Sequence, residues 1–449
     1  MLSSKKTKIF SFFVLAFFFV SSTAIQFCSS PQKAQPITLT YWRPFSDKSD
    51  FDALIAAYKK IKPNVTITYQ KLTYAEYEDK LLTGFSLDKG PDMFAIHNDW
   101  LPKYKQYVAP MPAKFMSLTQ YKNTFADVAT KDFVDSSGIY GIPLSIDTLA
   151  LYYNKDHFDQ ANIASPPKTW KEFTDDVLQL TKMDSTGSNI LRSGAAIGTG
   201  ENINRSMDIL SLLMLQNNTQ MTDDARTKAT FDNPLQTQEG NTSYPGRDAL
   251  QFYTDFASAS KEAYTWNPQM DYSLDAFAQG NASMMINYSF QAQRVRDIGH
   301  DLNFDVAPAP QVEGAIEHDQ KVNFANYWGE VVSSKSQHQQ EAWEFLQFIS
   351  SKENLASYLK TTKEPTSRRD MINDQKNDPD IGVFASQVLT AKSWYKPDAT
   401  QADNIFVDMI KSVNLGTAKV DEAIQTAVQR MDQLFGTSGT TSTTTSATQ

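Results

Sequence analysis

Cysteine is almost missing from this chain: Cys28 is the only one in 449 residues, so no internal disulfide framework can exist. Histidine is scarce too. The five histidines, His97, His157, His300, His318 and His338, are too scattered for a local metal box, and no HExxH or GxSxG segment occurs. No cofactor motif is found, and no local signature pairs two carboxylates as glycoside hydrolysis requires. Catalysis therefore has no support in the sequence, and neither a cofactor nor a metal is expected. A basic stripe is also lacking. The 42 Lys+Arg and 51 Asp+Glu are spread along the chain for a net charge of −9, which argues against a nucleic-acid partner and weakly against an anionic ligand. No repeat of solenoid length is visible.

What is present begins with an address. Lys5, Lys6 and Lys8 precede an apolar run from Ile9 to Val20, and Ser21-Ser22-Thr23 follows. The run falls short of the roughly 20 residues that span a bilayer, so 1–27 reads as a secretory leader. Cys28 directly after a leader points to lipid attachment, although Phe27 stands where a lipoprotein signal places a small residue. The alternative is cleavage elsewhere, with Cys28 free on the arm. Residues 28–36 read as a tether and 436–449, without charge or aromatic, as a disordered Ser/Thr tail. The body between them, about 400 residues long, is too large for one core. With 41% hydrophobic and 12% aromatic residues, it is globular, and two lobes are expected.

Ile37 to Trp42 alternates like a strand, Phe51 to Ile61 has helical spacing, and Val65 to Tyr69 is strand-like again. A helix over 74–85 and a strand over 91–96 follow. Strands alternating with helices predict a parallel sheet covered on both faces, with ligands beyond the carboxyl ends of its strands. Residues 42–45 and 97–100 are thereby marked. From Trp170 to Ala257 helical patterns dominate, as expected of a second, more helical lobe. Thr169 and Glu172 form a capping-box start ahead of Phe173, Val177 and Leu178.

The most informative stretch is Gly138 to Phe173, GIYGIPLSIDTLALYYNKDHFDQANIASPPKTWKEF. Two apolar strands meet there at the polar crossing Ser145-Ile146-Asp147-Thr148, and a capped helix follows. Further on stand Ala276 to Ile286 (AFAQGNASMMI), Val306 to Pro310 (VAPAP), Asn326 to Ser333 (NYWGEVVS) with the helical run 341–349, and Pro365-Thr366-Ser367-Arg368. Together and in this order, over Ile37 to about Phe435, these segments resemble the bacterial extracellular solute-binding proteins of sugar ABC transporters, the maltose-binding-protein-like group. The resemblance implies a periplasmic-binding-protein-like α/β fold: two discontinuous lobes, a ligand cleft and hinge segments. Lobe 1 is expected over 37–146 and 284–333, and lobe 2 over 147–283 and 334–435, with crossings near 144–148, 280–288 and 332–336.

The resemblance further implies a ligand, a partner and a place. A mono- or oligosaccharide would be captured between the lobes and passed to permease subunits by a monomer outside the cytoplasm, periplasmic or held to the membrane by an N-terminal lipid. A sugar asks for flat aromatics and bidentate polar groups. Carried over by position, Asp147 falls on the acidic cleft residue, Trp328 on the Trp-Gly stacking position and Arg368 on the arginine after the late proline. Trp42, Asn98 and Trp100 follow expected strand ends, Tyr288, Ser289 and Trp266 flank the second crossing, and Tyr327 precedes Trp328. Each has a plainer alternative: tryptophans pack cores as often as they touch ligands, and Arg368 could serve as a surface ion pair. Two rival functions remain, a surface glycan-binding adhesin and an importer of polyamine or glycerol phosphate ester.

Overall fold

The computed structural model describes residues 35–236 and 240–439; the leader, Cys28 and most of the tether lie outside them. In Ile37–Pro44 the alternate residues Leu39, Tyr41 and Arg43 are buried, as the two-residue period of a strand dictates. This strand pairs in parallel with Val65–Leu72, Ile37 opposite Val65, and with Met93–His97, Tyr41 opposite Met93. The crossover helices are Lys48–Ile61 and Tyr74–Ser86. The sheet is mixed rather than parallel, however. Trp328–Ser333 runs antiparallel to Met93–His97, with Trp328 opposite His97, and Val108–Ala109 and Ile142–Pro143 pair with it in turn. That strand arrives from the second lobe without a βαβ crossover, so nothing forces it parallel. Its direction brings its first residue, Trp328, to the carboxyl end of Met93–His97.

Beneath this sheet lies a buried polar knot. Tyr41 donates to Glu330 at 2.6 Å, Arg43 pairs with Glu330 at 3.2 Å, and Arg43 also donates to the Tyr358 hydroxyl at 2.9 Å.

The second lobe is built on Ala150–Asn154, flanked antiparallel by Met284–Asn287 and Phe304–Pro308. Helices cover it. Trp170–Leu180 starts at the expected box, the Thr169 hydroxyl accepting from the Glu172 amide, and buries Trp170, Phe173, Val177 and Leu180. Losing that cap would cost about 1 kcal/mol. Ser206–Gln216 is buried at every position, which marks it as the central core helix.

The two apolar cores divide the chain differently from the expected boundaries. One gathers Leu39 to Ile146, Ala325 to Val332, Ala342 to Met371, Val388 and Ala391; the other gathers Leu149 to Phe324, then Phe384 and Trp394 to Phe435. The stretch 284–324 thus packs with the second lobe, because its strands pair with Ala150–Asn154, and 342–371 returns to the first. Crossings fall at 147–148, 324–325 and 391–394; of the three expected, only the one near 144–148 coincides. The three crossing strands pair with one another. Asn323–Asn326 lies between Asp147–Thr148, antiparallel with Asn326 opposite Asp147, and Ala391–Lys392, parallel with Asn323 opposite Ala391. The last helix, Val420–Gly439, runs past Gly436, where the tail was expected to begin. Among the described residues no helix is long and apolar enough to cross a membrane.

Candidate functional site

Where the strands of the first sheet end, aromatic rings converge on Trp328. Trp100 approaches edge-on at 5.2 Å, His97 at 5.4 Å, Phe45 at 5.9 Å, Tyr77 at 6.0 Å and Tyr74 at 6.3 Å between ring centres. Phe45 and Tyr74 stack at 5.4 Å and 22°, yet both stay open to solvent, at 58% and 53% exposure. Phe45 also holds a left-handed backbone, φ 64°, a strained conformation for a bulky residue. An exposed aromatic pair, one member of it strained, beside a tryptophan forms a platform rather than a core.

Opposite charges are set close by. Asp99 is buried between His97 Nδ1, 2.5 Å away, and the Lys396 ammonium, 2.9 Å away. Burial works against its charge, but Lys396 and then His97 hold the carboxyl far below the usual range. Lys396 comes from the segment just after the third crossing. Arg205 of the second lobe likewise has φ 66° at the start of the helix Ser206–Gln216, and its guanidinium lies over the rings of Tyr288 and Phe290, at 5.7 and 5.6 Å. Phe290 is 50% exposed and stacks on Tyr288 at 5.7 Å.

Asp147 occupies the first crossing strand and is buried. Its Oδ2 accepts from the Ser289 amide at 2.9 Å and the Ser289 hydroxyl at 2.7 Å, and its Oδ1 accepts from the Thr148 amide at 2.8 Å. Burial pushes its carboxyl up to about 7 against these bonds.

Of the residues expected at the site, Trp328 and Trp100 meet at the platform, and Asp147 meets Ser289, beside Tyr288. Tyr288 is buried; its hydroxyl donates to Asp208 at 2.9 Å. Asn98 and Tyr327 come together elsewhere, on buried Asp132, at 3.2 and 2.7 Å. The Ser393 hydroxyl donates to the same carboxylate at 2.6 Å, which fastens the third crossing to the first lobe. The Asn98 Oδ1 is left buried without a partner. Three expected residues do not join these groups. Trp266 is fully buried, donating to Asn202 at 3.1 Å. Trp42 packs beside Asp79, Lys80 and Thr83 of the helix Tyr74–Ser86. Arg368 makes a bidentate pair with Asp370, at 2.9 and 2.8 Å, and donates to the Ser350 carbonyl at 3.0 Å.

The strand-end rule marked Phe45, His97 and Asp99 among 42–45 and 97–100, but none of the three was singled out as a ligand contact. Nothing in the sequence singled out Tyr74, Arg205, Phe290 or Lys396, which are assembled by the meeting of distant segments.

A family model described as bacterial extracellular solute-binding protein matches residues 44–356. The chain belongs to that family. Its relatives are distant. A binding protein of Brucella abortus is 22% identical over 392 residues, covering 86% of this chain and 89% of that protein. A maltotriose-binding protein of Pyrococcus abyssi is 22% identical over 363 residues, 76% of this chain and 69% of the other. Among solved structures, the cyclic alpha-maltosyl-1,6-maltose binding protein of Arthrobacter globiformis superposes with a TM-score of 0.74 at 17% identity, covering 90% of this chain and all of that one. The two-lobed α/β solute-binding fold is therefore shared by proteins whose side chains have almost entirely diverged.

Proposed function

We propose that this solute-binding protein is the carbohydrate-capturing component of an ABC importer, holding a mono- or oligosaccharide between its lobes and delivering it to a membrane permease. The observation that carries the reading is the exposed aromatic platform around Trp328, at the strand ends where the two lobes meet. Flat rings with apolar area suit the C–H face of a pyranose. The sugar ligands of the Pyrococcus and Arthrobacter relatives support the same class. On this reading Trp328, Trp100, Phe45 and Tyr74 form one wall, and Asp147, Ser289, Tyr288 and Arg205 the other. Asn98 and Tyr327 act from beneath through Asp132. The lobes are 37–146, 325–391 and 149–324, 394–435, with Phe384 reaching into the second core, and the chain binds without chemistry.

A polyamine cargo is disfavoured by particular groups. Both Asp147 oxygens already accept from N–H and O–H donors, Asp99 is paired with Lys396, and Arg205 adds a cation to the wall. The leader, a lipid on Cys28 and a position outside the cytoplasm complete the reading, as a tethered receptor requires.

The deciding experiment is a thermal-shift screen of the purified protein against mono-, di- and trisaccharides, polyols, polyamines and phosphate esters. A ligand at 100 times its Kd adds about 2.7 kcal/mol. A shift confined to one sugar class and lost in Trp328→Ala supports the reading. A shift with charged ligands only, or with none, overturns it.

A further inference from the structure

The platform is apolar on almost every side, which leaves open what reads the hydroxyls of its ligand. Among the rings meeting Trp328, His97 is the one imidazole, and its side chain keeps 16% exposure. Its Nδ1 lies 2.5 Å from Asp99 Oδ1. Lys396 already balances that carboxylate at 2.9 Å, and both charges are almost wholly buried. In its neutral form the imidazole can bond to a carboxylate through Nδ1 only by donating, which leaves the lone pair on Nε2. Among the described residues, no donor or acceptor meets Nε2. Asp99 thereby fixes which nitrogen is bare, and Lys396 fixes Asp99.

We propose that His97 is a ligand-contacting, specificity-determining residue whose Nε2 accepts a hydrogen bond from one ligand hydroxyl, with Asp99 and Lys396 as the positioning residues that set its tautomer. The inference rests on the reading of the Trp328 platform as the ligand wall. A donor group at that point of the ligand is required; a ligand presenting only an acceptor or an apolar edge there meets a lone pair with no partner and is rejected. Lys396 stands beyond the third crossing while His97 and Asp99 belong to the first sheet, so the reader draws on distant segments of the chain.

Two measurements test this. Nitrogen-15 NMR of the histidines in the unliganded protein, with His97→Gln assigning the signal, is expected to show His97 protonated at Nδ1 and bare at Nε2. The opposite tautomer overturns the proposal. In Asp99→Asn/Lys396→Gln, which removes both charges together, the signal is expected to move toward the Nε2–H form. An unmoved signal in a variant that melts normally overturns the positioning role.

For binding, the probe is whichever of maltotriose, mannobiose or D-tagatose shifts the melting transition most. His97→Phe, which keeps the ring and loses the nitrogens, is expected to weaken it about tenfold. His97→Gln, whose amide oxygen can accept, is expected to recover most of that loss, and one deoxy analogue of the probe is expected to bind wild type and His97→Phe equally. If Trp328→Ala abolishes binding while His97→Phe stays within twofold of wild type, the inference fails and the platform stands. If no probe binds, or Trp328→Ala is without effect, the platform reading fails and takes the inference with it.

Discussion

At the scale of single residues, position along a strand decided more than residue type. Trp328, Trp42 and Trp266 are chemically alike, but only Trp328 begins a strand beside the aromatic platform; Trp42 lies next to the helix Tyr74–Ser86 and Trp266 fills the second core. Trp328→Ala removes the centre of the aromatic wall and is expected to cost at least about 2 kcal/mol of binding, roughly thirtyfold in Kd by isothermal titration calorimetry. Arg368→Ala is expected to leave Kd within about twofold, because its guanidinium is already engaged by Asp370 and Ser350; its loss should show in the melting temperature instead. Asp147 titrates against the fold. Its carboxyl is raised to about 7 by burial, so the native state holds the proton more tightly than the unfolded chain, and its contribution to stability falls as pH rises between about 4 and 7. Denaturation curves across that range should show wild type losing up to about 1 kcal/mol per pH unit relative to Asp147→Asn. Equal slopes would refute the raised value. Asp147 was legible in the sequence because a carboxylate between apolar strands has to be met by donors. Its partner Ser289 was legible only as a flank of the second expected crossing.

At the scale of elements, the connection between the lobes is itself a small sheet. Three crossings could have been separate loops; instead Asp147–Thr148, Asn323–Asn326 and Ala391–Lys392 pair as neighbours. Paired strands satisfy one another's backbone groups and confine motion to the few residues at their ends. Buried Asp132 secures the third crossing, and burial raises its carboxyl against the hydrogen bonds from Ser393, Tyr327 and Asn98. Ser393→Ala leaves that carboxylate short of a donor and is expected to destabilise the protein by about 1–2 kcal/mol in urea titration. The helices and strands themselves were readable from periodicity, and Trp170–Leu180 agrees with its expected start to the residue. The crossings were not, since a two-residue strand has no period to read. Met284–Asn287 illustrates the limit: it is apolar enough for either sheet, and pairing with Ala150–Asn154 settled its lobe.

At the scale of the whole molecule, two apolar cores joined by paired strands are an arrangement suited to hinge closure around a ligand. Saturating ligand is expected to lower the radius of gyration in small-angle X-ray scattering, the two lobes moving as units about the crossings; an unchanged profile at saturation would argue for a preformed cleft. By itself the sequence determined the class of the protein: the alternation of strand and helix, a size too great for one core, and the ordered motifs of a solute-binding family. Those depend on local periodicity and on short segments, which the chain carries wherever it goes. The tertiary structure alone decided the site. Phe45, Tyr74, His97 and Trp328 come from four segments, and Arg205, Lys396 and Phe290 from three more, so their meeting depends on strand order, on the antiparallel return of Trp328–Ser333 and on which core each crossing enters. None of these is a property of neighbouring residues, because each is fixed by long-range burial and pairing.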